Sequence, residues 1–143
     1  MKYLFDTDHL SILQKSTGTD YENLSRRMAK SPISDFAISM VTVHEQFLGS
    51  HTYINRARED IQLLKGYYLM ERLVSNLKIM PTIAFDRSAL NVFNELKSQS
   101  VKVATMDLRI ASIAIAHNLI LLTRNQQDFR FIPKLSIEDW TIN

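Results

Sequence analysis

The feature of this sequence that most constrains its fold is the alternation of short apolar runs with longer amphipathic stretches. The clearest apolar run covers residues 119–123, and residues 2–6 and 35–39 have the same character. Apolar runs of this length predict strands that are buried on both faces, and the periodic stretches between them predict helices. The sequence therefore predicts a three-layer α/β/α fold with a central, mainly parallel sheet of four to five strands.

Helices are predicted wherever apolar residues recur every three or four positions between capping residues. The longest is expected over residues 54–76, with a bend at Gly66. Trp140 is expected to anchor the C-terminal tail. The remaining predictions are helices over 9–15, 20–30, 86–99 and 108–117, weaker strands over 78–81 and 135–137, and a loop or short helix over 124–130.

The segment after the second strand predicts a helix capped by Ser39 or Thr42. Its apolar residues Val43, Phe47 and Leu48 are expected to face the core. This helix also carries Glu45, one of the acidic residues of the chain.

Composition narrows the class of protein further. The chain has 143 residues, three glycines, three prolines, no cysteine and a net charge of +2. One domain spanning residues 1–143 is expected from this length, and the shortage of turn residues argues against a β-sandwich. The absence of cysteine excludes disulfides and thiolate metal sites. No signal peptide or membrane span is recognisable, so a cytoplasmic location is expected.

Four acidic residues fall where the predicted architecture brings chain segments together. Asp6 ends the first strand, and Glu45 lies near the start of the helix after the second strand. Asp107 is expected to open the helix before the last main strand, and Asp128 follows that strand. Because parallel strands place their carboxyl ends at one edge, these acids are predicted to form a catalytic site there. Clustered carboxylates favour a hard divalent cation, Mg²⁺ or Mn²⁺.

Each acid also has an ordinary structural interpretation. Asp6 and Asp107 are typical helix N-caps, Glu45 is compatible with a solvated helix face, and Asp128 is compatible with a plain loop position. The joint placement at one sheet edge favours the metal site over four independent coincidences. Whether one or two metal ions bind is left open by the sequence.

The ordered motifs resemble the PIN-domain family, and especially its VapC-like toxin branch. The resemblance covers nearly the whole chain, and the ordered set is more specific than any single motif. The matching segments are residues 3–8, Ile38 and Ser39 with Thr42 and Glu45, residues 107–111, residues 121–129 and residues 137–140. Two features depart from the family pattern: residues 100–106 lack the usual glycines, and Asp8 stands where Asn is common.

The resemblance implies a Mg²⁺- or Mn²⁺-dependent endoribonuclease of a toxin–antitoxin pair, which forms homodimers and is neutralised by a cognate antitoxin protein. It also implies roles for individual residues. Asp6, Glu45 and Asp107 are the expected metal ligands and Asp128 a less central fourth acid, with Thr7, Thr123 and Asn125 in support.

Basic and apolar surface residues suggest where RNA and proteins bind. Lys102, Arg109, Arg124 and also Arg130 neighbour the acidic motifs and are predicted to contact RNA phosphates. The long helical stretch is expected to offer an apolar surface to a second subunit or to the antitoxin, formed by Ile61, Leu64, Tyr68 and Leu69.

Two alternative functions remain at this point. The strand followed by Asp6 and Asp8 resembles the nucleophile motif of haloacid-dehalogenase-like phosphatases, in which the first Asp attacks phosphorus. That family also needs a positioned Lys and a later acidic pair, which are not recognisable here. The second alternative is a non-catalytic module that binds RNA or protein. The four histidines show no metal-ligand spacing, and structural roles are expected for them.

Overall fold

The computed structural model describes residues 1–143, with seven α-helices, one 3₁₀ turn and five strands. None of the helices has the length and apolar composition needed to cross a membrane. In chain order the elements are β1 Tyr3–Phe5, α1 Thr7–Lys15, α2 Thr19–Met28, the 3₁₀ turn Ile33–Asp35, β2 Phe36–Ser39, α3 Met40–Arg56, α4 Asp60–Leu77, β3 Thr82–Ile83, α5 Arg87–Ser98, α6 Thr105–Ala116, β4 Ile120–Leu122, α7 Gln126–Phe129 and β5 Ile137–Glu138.

The five strands form one sheet in the order β3-β2-β1-β4-β5. All four neighbouring pairs are parallel, and central β1 places Leu4 opposite Ala37 of β2 and Leu121 of β4. The predicted parallel sheet is therefore confirmed, and its carboxyl ends share one edge.

Helices cover both faces of this sheet because successive strand residues point to opposite sides. On β1, Leu4 joins a core formed largely with α5 and α6, whereas Phe5 joins a second core with α1, α2 and α4. Trp140 closes the second core, as predicted: it is buried, and its ring lies 4.6 Å from that of Tyr3. The three-layer α/β/α architecture is thus confirmed.

The single long helix predicted over residues 54–76 is wrong. Two helices occupy this region, α3 ending at Arg56 and α4 beginning at Asp60. The break is stabilised by a capping box. The Glu59 side chain accepts from the backbone N–H of Gln62, and the Gln62 side chain accepts from the backbone N–H of Glu59. No Gly or Pro marks this break.

Gly66 lies within the uninterrupted helix α4 and allows α4 to approach α3. It is buried, and a Cβ at this position would lie 2.5 Å from Cγ1 of Ile54 and 3.3 Å from the Ile54 backbone nitrogen. Glycine is therefore required here for close packing between two helices.

We expect Gly66→Ala to lower the free energy of unfolding by about 1–3 kcal/mol, since overpacking outweighs the gain in helix propensity. Gly49→Ala is the matched control, because Gly49 also lies within a helix but has open space around its Cβ position. That control is expected to gain up to about 1 kcal/mol. Urea unfolding of both variants tests the contrast, and equal effects would contradict it.

Three smaller predictions also need correction. The third strand covers Thr82–Ile83 instead of 78–81, because Ile38 and Ser39 of β2 pair with those two residues. Asp107 does not open its helix: α6 begins at Thr105, which leaves Asp107 in the first turn. Leu48 does not face the core and is 49% exposed, whereas the buried residues of α3 are Val41, Thr42, Val43 and Ser50.

Candidate active site

The site lies at the carboxyl edge of the sheet, where β1, β2 and β4 end side by side. Asp6 directly follows β1, Ser39 ends β2, and Thr123 directly follows β4. All three side chains are buried. The strand register sets this proximity because Phe5 is paired with both Ile38 and Leu122, one residue before the three polar side chains.

Asp6 occupies the centre of this edge and is held by two short hydrogen bonds. Its Oδ1 accepts from the Thr7 backbone N–H at 2.8 Å, which makes Asp6 the N-cap of α1. Its Oδ2 accepts from the Thr123 hydroxyl at 2.7 Å. The side chain is only 5% exposed. Asp6 therefore serves as a helix cap and at the same time points its carboxylate to the sheet edge.

Glu45 is brought to the same edge by α3, which Ser39 caps through a 2.9 Å bond from the Thr42 backbone N–H. The Thr7 hydroxyl donates to Glu45 Oε1 at 2.8 Å and lies 3.2 Å from the Thr42 hydroxyl. Thr7 has only one hydroxyl proton, which it donates to the Glu45 carboxylate. The Thr42 hydroxyl is therefore the donor in its contact with the Thr7 hydroxyl. This chain of hydroxyls orients Glu45 relative to Asp6.

Asp128 lies on the short helix α7, and its side chain is solvent-exposed. Asn125 donates from Nδ2 to Asp128 Oδ2 at 3.1 Å, and the Asn125 side chain caps α7. The Asn125 backbone N–H in turn donates to the Thr123 hydroxyl oxygen at 3.0 Å. Thr123 thus connects Asp6 with the segment that carries Asp128.

The acids of the site destabilise one another's charged forms. The pKa of Asp6 is raised to about 7: burial is the largest cause, the carboxylates of Asp8 and Asp107 add to it, and hydrogen bonds from Thr123 and Thr7 oppose it. Burial also raises the pKa of Asp107, together with repulsion from Glu45, Asp128 and Asp8, in that order. All four predicted acids therefore belong to one electrostatic cluster centred on Asp107.

No basic side chain neutralises this cluster. Asp6, Glu45, Asp107 and Asp128 take part in none of the ion pairs of the structure. The cluster therefore carries an excess of negative charge that favours binding of a cation.

Asp8 is a fifth acid of the site; the sequence interpretation placed its negative charge beside the site but did not count it among the site residues. Its Oδ2 accepts from the Arg124 backbone N–H at 3.0 Å, and its Oδ1 lies 2.8 Å from Nδ1 of His9. His9 is fully buried, and its Nε2 accepts from the Trp140 backbone N–H, so Nδ1 carries the proton given to Asp8. The structural role expected for His9 is confirmed. The Asp-x-Asp spacing was the available signal for Asp8.

The donors present fit a hard divalent cation by their chemistry. The site offers only carboxylate and hydroxyl oxygens, and the one nearby imidazole, His9, has both nitrogens occupied. Such donors suit Mg²⁺ or Mn²⁺. No three His, Asp or Glu side chains are close enough to form a ready-made ligand cage. Asp6, Glu45 and Asp107 fit the metal by their oxygen donors and by their negative charge, and not by a preformed geometry.

Three of the four cations predicted to contact RNA, Lys102, Arg109 and Arg124, occupy different environments. The Arg109 guanidinium lies over the Phe93 ring at 5.7 Å, and the Arg124 guanidinium pairs with Asp20 at 3.3 Å. Lys102 is exposed and belongs to no ion pair. Of the three, Lys102 has the most freely available charge.

Comparison with known proteins adds a sequence relative and several structural ones. No protein-family profile matches the chain. Ribonuclease VapC2 of Rickettsia felis is 44% identical, over 98% of both chains. Among solved structures, VapBC2 from Rickettsia felis bound to a DNA fragment from its promoter has a TM-score of 0.77 and 26% identity, covering 98% of this chain and 99% of that one.

A second solved structure, DNA-bound VapBC from Salmonella typhimurium, has a TM-score of 0.78 over 98% of both chains. Its identity is only 21%, so it supports the fold alone. The sequence relative covers the whole length of the site, from the segment of Asp6 to that of Asp128. By that identity and coverage, the chain belongs to the PIN-domain family, in its VapC branch of ribonucleases.

Proposed function

We propose that this protein is the ribonuclease toxin of a toxin–antitoxin pair, that residues 1–143 act as one nuclease domain, and that the acidic edge cleaves RNA with Mg²⁺ or Mn²⁺. The observation that carries the proposal is the convergence of acids at one sheet edge: Thr123 and Thr7 hold Asp6 at 2.7 and 2.8 Å, and the Thr7 hydroxyl also holds Glu45 at 2.8 Å. Repulsion between Asp107 and its neighbouring carboxylates agrees with it. The relationship to ribonuclease VapC2 supports the choice of RNA as substrate.

Asp6, Asp107 and Glu45 would hold the metal ion. When bound, the ion stabilises negative charge on the phosphate and lowers the pKa of a water molecule. Thr123 orients Asp6, and Thr7 orients Glu45, through the hydrogen bonds of 2.7 and 2.8 Å.

Asp128 is proposed to accept a proton from the attacking water. Asn125 occupies Asp128 Oδ2, which leaves Oδ1 without a hydrogen-bond partner. An exposed carboxylate that is held on one oxygen and free on the other suits this task. Asp128 differs in exposure from Asp6, which is buried.

The two alternative functions are less well supported. A phosphatase using Asp6 as nucleophile needs a lysine near the acids, and none of the site acids is paired with one. Asp8, the proton donor in that scheme, is held by His9 and the Arg124 backbone. A non-catalytic binding module would have no need for a cluster of mutually repelling acids, which costs stability.

The direct test is cleavage of single-stranded RNA by the purified chain with Mg²⁺ or Mn²⁺, with and without EDTA. We expect cleavage only in the presence of the metal, because the acids have no other cation to offset them. Adding excess Mg²⁺ after EDTA should restore activity. Full activity in EDTA would contradict the proposal.

The partners proposed are a cognate antitoxin and a second copy of this chain. The VapBC2 structure from Rickettsia felis, at 26% identity, supports an antitoxin partner. An apolar surface on α4 is available for such contacts: Ile61, Leu64 and Tyr68 are 72%, 70% and 57% exposed, whereas Leu69 is half-buried.

We expect the purified protein to sediment as a dimer at micromolar concentration. The double variant Ile61→Ser, Leu64→Ser is expected to lose either self-association or antitoxin binding, since burial of these side chains supplies the driving force. Sedimentation of the variant alone and with antitoxin distinguishes the two partners. A strictly monomeric wild-type protein would rule out the homodimer.

A further inference from the structure

A groove of about 590 Å³ is lined in part by Asp128 and by no residue of α3. It is formed by two segments: residues 99–103, which connect α5 to α6, and residues 127–133, which include most of α7 and the residues after it. The side chains that matter here are Lys102, Asp128, Arg130 and Phe131. The groove therefore shares Asp128 with the acidic site and contains none of the site's other acids.

Phe131 is the most unusual residue of this groove because it is 71% exposed. Phe129, two residues earlier, is fully buried in the core, so the segment has an apolar anchor and does not need a second one. The Arg130 guanidinium lies over the Phe131 ring at 4.6 Å. An open aromatic face next to a guanidinium is an arrangement on which nucleobases stack.

The charge of the groove is also suited to nucleic acid. Lys102 and Arg130 are exposed and belong to none of the ion pairs of the structure, in contrast to Arg124, which pairs with Asp20. Asp128 is the single acid among the residues that line the groove. Two unpaired cations thus extend from the acidic site along the groove.

We propose that this groove binds the single-stranded RNA adjacent to the scissile phosphate, with one base stacked on Phe131 and the flanking phosphates on Lys102 and Arg130. The inference rests on the proposed ribonuclease function and adds the path of the substrate to it. The net charge of the chain is only +2, but RNA needs favourable contacts only along this path. Lys102 and Arg130 supply positive charge there, away from the metal site.

The first measurement is RNA binding in the cleavage-deficient Asp6→Asn background, with Mg²⁺ and a fluorescent single-stranded oligonucleotide. Adding Phe131→Ala is expected to weaken binding about 5- to 100-fold, the scale of losing one stacked base, whereas Phe131→Trp retains it. Lys102→Ala is expected to reduce the slope of log affinity against log salt by about 0.7, the loss of one phosphate contact on a single strand.

The second measurement is cleavage kinetics with the wild-type acids. Phe131→Ala is expected to raise KM with kcat nearly unchanged, because the stacked base contributes binding remote from the reacting atoms. An oligonucleotide shortened on the side that enters the groove should cleave equally in both proteins. Matched controls are Ile33→Ala and Lys30→Ala, an exposed apolar residue and an exposed cation near the amino end of β2, at the opposite edge of the sheet.

The outcomes separate this inference from the proposed function. If the wild-type protein cleaves RNA but Phe131→Ala changes neither KM nor affinity, the groove inference is wrong and the ribonuclease proposal stands. If Phe131→Ala alters the sedimenting species and not RNA affinity, the groove is a protein interface and the inference is likewise overturned. If the protein cleaves no RNA but binds it through Phe131, only the catalytic proposal falls. Absence of both cleavage and binding refutes both.

Discussion

Asp6→Asn is expected to abolish RNA cleavage and, at the same time, to stabilise the metal-free protein. The activity loss should be at least about 100-fold, which is the scale of removing even a supporting group around a metal. The stability gain follows because asparagine keeps the hydrogen bonds of the position while removing a buried charge. Its Oδ1 can still accept from the Thr7 backbone, and its Nδ2 can donate to the Thr123 hydroxyl oxygen.

The gain in free energy of unfolding that Asp6→Asn brings should depend on pH in a defined direction. Burial raises the pKa of Asp6 from 3.8 to about 7, so between these values the folded protein holds a proton that the unfolded chain releases. The free energy of unfolding in EDTA therefore falls as pH rises through this window and stays low above it. At about 1.4 kcal/mol per pKa unit, Asp6→Asn gains up to about 4 kcal/mol at pH 8 and nothing below pH 4.

Urea unfolding in EDTA between pH 4 and pH 8, together with cleavage assays in Mg²⁺, measures both effects. Asp60→Asn is the matched control, because Asp60 is an exposed carboxylate at the start of α4 and should change neither property. Retained cleavage would exclude Asp6 from the site. A stability difference that is absent at pH 8 would show that the Asp6 carboxylate is not strained by burial.

Phe129→Ala is expected to cost about 3–5 kcal/mol of folding free energy, which is a large part of the 5–15 kcal/mol typical of a whole domain. Phe129 is fully buried in the core formed with α5 and α6. It also ends α7, the helix that carries Asp128 and is capped by Asn125. The variant should therefore lose cleavage activity even under conditions in which it remains folded.

Phe131→Ala removes the same side chain two residues later and is the natural control. Because Phe131 is 71% exposed, its truncation should change the free energy of unfolding by no more than about 0.5 kcal/mol. Urea unfolding of the two variants measures the difference directly. Similar losses in both would mean that Phe129 does not anchor α7 as the structure indicates.

Much of the fold was predictable because the strands are short, apolar and bounded by polar residues. The run at residues 119–123 corresponds to β4 with Thr123 behind it, and Asp6 follows β1 as expected. A parallel sheet brings all its carboxyl ends to one edge, so residues far apart in the chain could be assigned to one site without coordinates. The electrostatic link between Asp107 and Asp128 agrees with that assignment.

The boundary between α3 and α4 was not predictable by the same reasoning. The sequence predicted one helix across residues 57–59, with a bend at Gly66. The helix is instead interrupted between Arg56 and Asp60. In the structure Gly66 permits contact with Ile54 across the two helices. A glycine required by a neighbouring helix cannot be distinguished in sequence from one that weakens its own helix, because the difference lies in tertiary packing.

The sequence by itself determined the number and direction of the main strands, the acids that end or follow them, and the oxygen chemistry that suits Mg²⁺ or Mn²⁺. These properties follow from local periodicity and residue type. Only the tertiary structure decided that the pKa of Asp6 rises to about 7, that His9 holds Asp8 while the Trp140 backbone holds His9, and that Phe131 lines a groove with two cations. Burial and through-space charge set these features, and neither is written in the spacing of residues along a chain.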